Sequence, residues 1–285
     1  MQGVLITNHY VRSEKFKELF AMLMQAADDA GITMLRQTNF ETLTDGMPAG
    51  TDFVLFWDKD VRLARELERQ GYRLFNSAAA IEACDDKSRT HTLLCAAGIP
   101  CPETVFSPLL HYALDWDREP MLDRVEQRIP YPMVVKECYG SFGQKVHLAQ
   151  NRAELERICN TMDTRPFLFQ QFIAESTGRD IRINVVGGEI VAAMVRENRD
   201  GDFRANVAVG GTGRAYTPTA EEAEMALAAA KVLGLDFGGM DILFGAEGPI
   251  FCEANSNMHF KGIYSCTGVN TAEHIMAHIK REMSK

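Results

Sequence analysis

The feature that most constrains the fold is a pair of apolar runs near the C-terminal end, DILF and PIFCEAN, separated by GAEG. Short apolar runs around such a turn read as a β-hairpin. Side chains alternate faces along a strand, so Glu253 and Asn255 point the same way, about 6.7 Å apart. Folding the hairpin about Glu247 brings Asp241 opposite Glu253. Asp241, Glu253 and Asn255 then form one oxygen cluster of the kind that suits Mg²⁺, with Glu253 placed to bridge two ions.

Upstream, strand-like runs alternate with helical stretches. GVLIT (3–7) precedes a helix with Ser13 as N-cap, Phe16, Leu19, Phe20, Leu23 and Ala27 on one face, and Gly31 as its stop. ITMLRQ and DFVLFWD are further strands, VRLARELERQ a helix, and YRLFN a short strand. This alternation predicts a small parallel α/β unit over roughly 1–80. SAAAIEACDDKSRTHTLLCAAGIP reads as one helical connector, PETVF as a strand and MLDRVEQ as helical. Then come strand PMVVKE, loop CYGSFGQ, strand KVHLA, helix NRAELERICNTM and strand FLFQQFI. Strands DIRINVV and EIVAAMV, a glycine-rich loop VAVGGTG, a helix over 219–233, the hairpin and a closing helix complete the chain.

Composition bounds the function. The chain has 285 residues and a net charge of −9, which disfavours nonspecific binding to nucleic acid or to an anionic membrane. No run of about 18 apolar residues predicts a membrane span, and the N-terminal apolar run is too short for a signal peptide. The expected compartment is the cytoplasm. The seven cysteines are odd in number and include no C-x-x-C. They read as buried reduced thiols rather than a disulfide framework or zinc site.

Several residues suit a phosphorylated ligand. Gly140 and Gly143 flank Ser141 and Phe142 at a hairpin tip, where glycine lets backbone amides approach a phosphate. Lys136 ends an apolar strand and is either an edge guard or a phosphate contact. Arg182, Arg196 and Arg204 fall near strand ends, with Asn206 beside the last. Guanidinium forks there could surround a phosphoryl group and a carboxylate.

In order and spacing these segments resemble the ATP-grasp superfamily, specifically its RimK-like and LysX-like carboxylate–amine ligases. The likeness is densest in ACDDKSRTHTLLCAAGIPCPET, PMVVKECYGSFGQKVHLA, GRDIRINVVGGEIVAAMVR, DFRANVAVGG, AAKVLGLDFGGMDIL and EANSNMHFKGI. The resemblance implies an α/β fold of three parts: a pre-ATP-grasp domain over 1–85, a central subdomain over 86–173 and a C-terminal subdomain over 174–285. It implies that Lys87 and Lys136 contact ATP and that Gly140, Ser141, Phe142 and Gly143 cover the phosphates. Gln170, Gln171, Phe172 and Ile173 would form the adenine hinge, with Asp180 facing the nucleotide. Arg204 and Asn206 would contact phosphates, and Asp241, Glu253 and Asn255 would hold two Mg²⁺, with Mn²⁺ as an alternative.

The implied reaction is amide formation through an acyl phosphate, with release of ADP and phosphate and with Arg182 and Arg204 stabilising the transferring group. The implied partners are ATP, a carboxylate and an amine (amino acid, peptide or carrier protein), in a homodimer or homotetramer. The carboxylate pocket falls among Arg196, Asn198 and Asn257, and the acceptor near Asn8, His9, Trp57 and Asp58. Two departures stand out. Gln171 replaces the usual hinge glutamate, and Glu197 follows Arg196 where glutamate-adding relatives often carry a second arginine. The alternative readings are a non-catalytic ATP-binding regulator and a ligase of the D-alanine–D-alanine type.

Overall fold

The computed structural model describes residues 1–110, 118–140, 143, 145–198, 201–205 and 210–285. Within them the strands form three sheets that follow one another along the chain. The first is parallel, with β1 (Gln2–Thr7), β2 (Thr33–Thr38), β3 (Phe53–Trp57) and β4 (Arg73–Phe75) in the order β2-β1-β3-β4. Every residue of β3, FVLFW, is buried, as expected for a parallel strand covered on both faces. Helices α1 (Glu14–Asp29) and α3 (Val61–Arg69) supply that cover.

A short α2 (Asn39–Asp45), which the hydrophobic pattern does not signal, is nucleated by a capping box between Thr38 and Glu41. Ser13 occupies the N-cap position of α1, but its hydroxyl makes no capping bond.

The connector is two helices rather than one. α4 (Ala78–Asp85) stops at Asp86, whose carboxylate accepts from the backbone N–H of Ser88 (2.9 Å) and Arg89 (3.4 Å) and so caps α5 (Lys87–Ala96). The break matters because it sets Lys87 on the first turn of a new helix that points at the glycine loop.

The second sheet is antiparallel, β5 (Thr104–Phe106), β6 (Met133–Glu137), β7 (Val146–Ala149) and β8 (Phe167–Gln171), ordered β5-β8-β6-β7. Helices α6 (Glu119–Glu126) and α7 (Arg152–Asn160) pack on one face through Leu122, Val125, Leu155 and Ile158. The opposite face, carrying Val134, Lys136 and Gln170, is left to line a cleft.

The third sheet contains β9 (Arg179–Val186), β10 (Glu189–Glu197), β11 (Thr212–Ala215), β12 (Phe237–Gly245) and β13 (Gly248–Asn255), ordered β11-β10-β9-β12-β13 and antiparallel throughout. β11 is exposed along its length, so no apolar alternation announces it. Helix α8 (Ala220–Val232) packs against Ile181, Ile183 and Met240, whereas α9 (Lys261–Thr267) and α10 (Thr271–Met283) cover the other side.

We propose the division 1–85, 86–173 and 174–285 on the ground that each span holds one sheet. The first and third spans nevertheless share a core. Leu19, Leu23, Phe53 and Phe75 pack with Phe237, Ile275 and Ile279, and Trp57 stacks on Phe237 at 5.4 Å between centroids. Trp57 is therefore a core residue and not an acceptor contact.

Asn76 locks this junction. Fully buried, it donates to the carbonyls of Phe237 (2.9 Å) and Ser256 (3.1 Å), and it accepts from the N–H groups of Asp236 (2.7 Å) and Phe237 (3.1 Å). Among the described residues no helix is long and apolar enough to cross a membrane.

Asn76→Ala strands these backbone groups in a dry interior. At about 1 kcal/mol for each of the four bonds, it is expected to lower unfolding stability by about 4 kcal/mol in urea titration. A loss below about 1 kcal/mol would refute the locking role.

Candidate active site

A cleft opens between the second and third sheets, lined by residues of both. Asp180, Asp241 and Glu253 line its floor, within a row of charged side chains on one face of the third sheet. Register puts Arg196 on β10 opposite Asp180 on β9, Arg182 on β9 opposite Asp241 on β12, and Asp241 opposite Glu253 on β13.

The contacts follow the register. Arg196 grips Asp180 through two bonds of 2.6 Å. Arg182 makes a fork onto both oxygens of Asp241. The Nη2 of Arg196 also reaches Asp241 at 3.0 Å. Two guanidinium groups thus balance two carboxylates in a nearly dry site, with Arg196 5% and Asp241 3% exposed. Burial alone pushes the Asp241 carboxyl up, but the charges of Arg182 and Arg196 outweigh it and hold the group below its ordinary value. The flanking carboxylates likewise raise Arg196 despite its burial.

Room for the Arg182 guanidinium comes from Gly239. A Cβ there would lie 2.8 Å from its Nη1 and 3.2 Å from Cβ of Met258. Sequence reasoning passes over this glycine, although the doublet before Met240 carries the signal.

Lys136 rises from β6 into the same cleft, 5% exposed. No hydrogen-bond or ion-pair partner is formed by its ammonium among the described residues. A buried cation without a counter-charge is costly, so this position invites an anion. Gln170 lines the cleft on the same face and donates to Thr104 Oγ1 at 2.9 Å. Gln171 pairs instead with Glu103, its N–H on the Glu103 carbonyl (2.8 Å) and its side-chain oxygen taking the Glu103 N–H (3.3 Å). Phe172 and Ile173 follow the strand, and Phe172 meets Phe203 edge-on at 6.2 Å. With Val134 and Leu243 they make an apolar slot beside polar ends.

The glycine loop is held from two sides. The ammonium of Lys87 donates to the Gly140 carbonyl at 2.8 Å and lies 3.7 Å from Glu253. Arg204 donates to the Gly143 carbonyl at 2.7 Å while Asp202 grips its fork. Both glycines have positive φ, +134° and +70°, a conformation other residues avoid. Gly178 anchors the Asp202 segment: its N–H donates to Phe203 and its carbonyl accepts from Asn198 N–H, leaving 3.0 Å between a would-be Cβ and the Asn198 carbonyl. Asp202 and Gly178 are site residues that the sequence reading misses. Ser141, Phe142 and Asn206 lie outside the described residues.

Asn255 sits at the end of β13, opposite Gly239. Beyond it, Asn257 Oδ1, Ser256 Oγ and His259 Nε2 are buried without a hydrogen-bond partner among the described residues. Burial, reinforced by nearby Lys15, pushes the His259 imidazole down to about 4, so it is neutral at pH 7.

Comparison with known proteins agrees with this geometry. The RimK-like ATP-grasp domain matches residues 84–279. The chain belongs to that family. It is 37% identical over 205 residues to human N-acetylaspartylglutamate synthase A, covering 71% of this chain and 51% of that protein. It is 36% identical over 219 residues to a probable alpha-L-glutamate ligase of Stenotrophomonas maltophilia, covering 76% and 72%. The chain thus spans about half the length of the human relative.

The fold is that of D-alanine–D-alanine ligase from Bacillus anthracis complexed with ATP, at a TM-score of 0.76 with 17% identity over 100% of this chain and 97% of that one. A RimK domain ATP-grasp protein from Sphaerobacter thermophilus aligns at 0.73 with 21% identity, covering 98% and 99%. The architecture is an α/β ATP-grasp fold.

Asp241→Asn leaves two buried guanidinium groups short of a charge and is expected to cost about 3–5 kcal/mol. Because the folded-state pKa of Asp241 is depressed, its contribution is complete above the unfolded value of about 3.9 and fades as pH falls through the folded one. The stability gap between wild type and variant should therefore stay constant above about pH 5 and narrow below about pH 4. Urea titrations across that range would show a pH-independent gap if the ion pairs were unimportant.

Proposed function

We propose that the chain is an ATP-dependent carboxylate–amine ligase acting through an acyl phosphate. The observation that carries this reading is Lys136, a buried and unpartnered cation in a cleft that also presents an apolar slot and a carboxylate row.

Adenine enters the slot of Val134, Phe172, Ile173 and Leu243. Its polar edge meets the chain at the end of β8, where Gln170 and Gln171 both line the cleft. The triphosphate runs towards Lys136 and Lys87, beneath the glycine loop that Arg204 holds. Magnesium fits the donor set: Asp241, Glu253 and Asn255 offer hard oxygen ligands, and register places the two carboxylates side by side. When bound, it neutralises phosphate charge. Lys87, close to Glu253, supplies positive charge from the opposite wall.

In the first step a substrate carboxylate oxygen bonds to the γ-phosphorus as its bond to the bridging oxygen breaks, and ADP departs. In the second an amine attacks the acyl carbon, phosphate leaves and the amine proton passes to solvent. Such transfer demands positioning and charge neutralisation more than covalent help. Arg182 spends Nε and Nη2 on Asp241 and sets Nη1 against Gly239, so it would serve the transferring group by fixing the Asp241 carboxylate. Arg204 steadies the loop and screens the intermediate from water.

Arg196 is reassigned. Its charge is already neutralised by Asp180 and Asp241, so it organises the floor instead of binding a substrate carboxylate. The orphaned Asn257 and His259 atoms are better placed to receive substrate, with the Asn198 segment as a wall. The curated relatives suggest an acidic amino acid among the substrates.

Hydroxylamine traps acyl phosphates as hydroxamates, whatever the natural amine. With Mg-ATP and pooled carboxylates, the chain should yield a hydroxamate together with equimolar ADP from one pool. ADP release without hydroxamate, or AMP in place of ADP, would refute the mechanism. Glu253→Gln, at a half-buried position, should retain the folded circular dichroism signal and lower hydroxamate formation by at least about a hundredfold.

A further inference from the structure

The cysteines do not all behave as buried thiols. Cys95 is exposed, and Cys101, Cys252 and Cys266 are only partly covered. Two of them meet a histidine behind the nucleotide cleft. His91 and Cys95 lie four residues apart on α5 and therefore share a face. The left-handed Gly98 then turns the chain, and Cys101 comes back beside them. The ligand-capable atoms of His91, Cys95 and Cys101 all fall within 4.8 Å of one another, and Cys95 Sγ is 3.6 Å from each ring nitrogen of His91.

The cluster is held rigidly. The Pro100 carbonyl accepts the Phe251 N–H at 2.8 Å, and the Pro102 carbonyl accepts from Thr104 Oγ1 at 2.9 Å, so Cys101 sits between two fixed points. The Pro102 carbonyl also lies 3.2 Å from His91 Nε2. A carbonyl can only accept, so Nε2 carries the proton and Nδ1 keeps its lone pair. A histidine whose far N–H is tied to a backbone carbonyl is the usual outer-shell arrangement of a metal ligand.

The chemistry narrows the class of ion. Two thiolates and one imidazole select borderline-soft cations, not Mg²⁺ or Ca²⁺. Ligand bonds of about 2.0–2.3 Å in a tetrahedron separate donor atoms by roughly 3.5–3.8 Å, so the cluster needs to contract by only about 1 Å. We propose that His91, Cys95 and Cys101 form a binding site for a divalent cation of the zinc class, with the fourth position open to water.

Burial lowers the His91 imidazole below its usual value and pushes the Cys101 thiol up to about 12. Without metal the Cys101 thiol therefore holds its proton, and the histidine is biased towards its neutral, ligating form. Binding releases two protons, one from each sulfur, and the dication with two thiolates is electrically neutral. That neutrality suits the neighbourhood, because Lys136 lines the same recess as His91 and Cys101. The site uses different ligands from the oxygen cluster of Asp241 and Glu253, although Glu253 lines the same recess, and C-x-x-C searches miss it because its ligands follow an H-x₃-C-x₅-C pattern.

Cobalt(II) is the probe. Titrated into the reduced full chain without nucleotide, one equivalent should give a thiolate-to-cobalt charge-transfer band and the intense visible bands of a tetrahedral ion, with release of about two protons per ion. One equivalent of Zn²⁺ should erase them. Cobalt held by Asp241 and Glu253 gives no thiolate band. Cys95→Ser, at an exposed position that folding tolerates, should abolish the band, and Cys266→Ser should keep it. Absence of the band in wild type, its survival in Cys95→Ser, or a Cys95–Cys101 disulfide under the same reducing conditions would each overturn the assignment.

Discussion

The site rests on a buried row of alternating charge, Arg196–Asp180 and Arg182–Asp241, laid across β10, β9 and β12. Ionised groups taken out of water are tolerable only when each finds its partner, and strand register supplies those partners. Asp180 and Arg182 stand two residues apart on one strand, so both lie on the same face, and the neighbouring strands bring Arg196 and Asp241 opposite them. A one-residue slip of either strand would turn a charge towards the packed face beneath. The network therefore specifies the register that also aligns Asp241 with Glu253. In this sense the floor of the cleft and its proposed metal site share one constraint.

The roof answers to the same logic. Lys87, released at the start of α5 by the Asp86 cap, holds Gly140; Arg204, gripped by Asp202, holds Gly143. Both clamps use carbonyl acceptors of the loop. Tyr139 adds a contact to Asp86 at 3.2 Å. Against these paired groups Lys136 stands out, because among the described residues nothing pairs with its charge.

Much of this was legible in the chain, for physical reasons. Period-two apolar runs announce strands that pack on one face, and most of the helices and strands follow. The hairpin shows both the strength and the limit of such reasoning. A fold axis at Glu247 pairs Asp241 with Glu253, and the structure has that pair. Yet the turn is the two-residue Ala246–Glu247 between Gly245 and Gly248, and a bulge at Cys252 restores the pairing. The connector misled because Asp86 satisfies helix N–H groups through its side chain, which hydrophobic periodicity does not register. Arg196 misled because exposure, not residue type, decides whether an arginine greets a substrate or is neutralised within the protein. The cysteine cluster stayed hidden because a helical turn and a post-helix return, distant in motif terms, meet only in three dimensions.

The claim that matters most is that this cleft is a nucleoside triphosphate site completed by Lys136. Calorimetric titration of a non-hydrolysable ATP analogue with Mg²⁺ into wild type and Lys136→Met tests it directly. The account predicts one-to-one saturable binding to wild type, weakened at least about tenfold, or 1.4 kcal/mol, in a variant that still unfolds cooperatively. Equal affinity in the two proteins, or no binding to wild type, would contradict it.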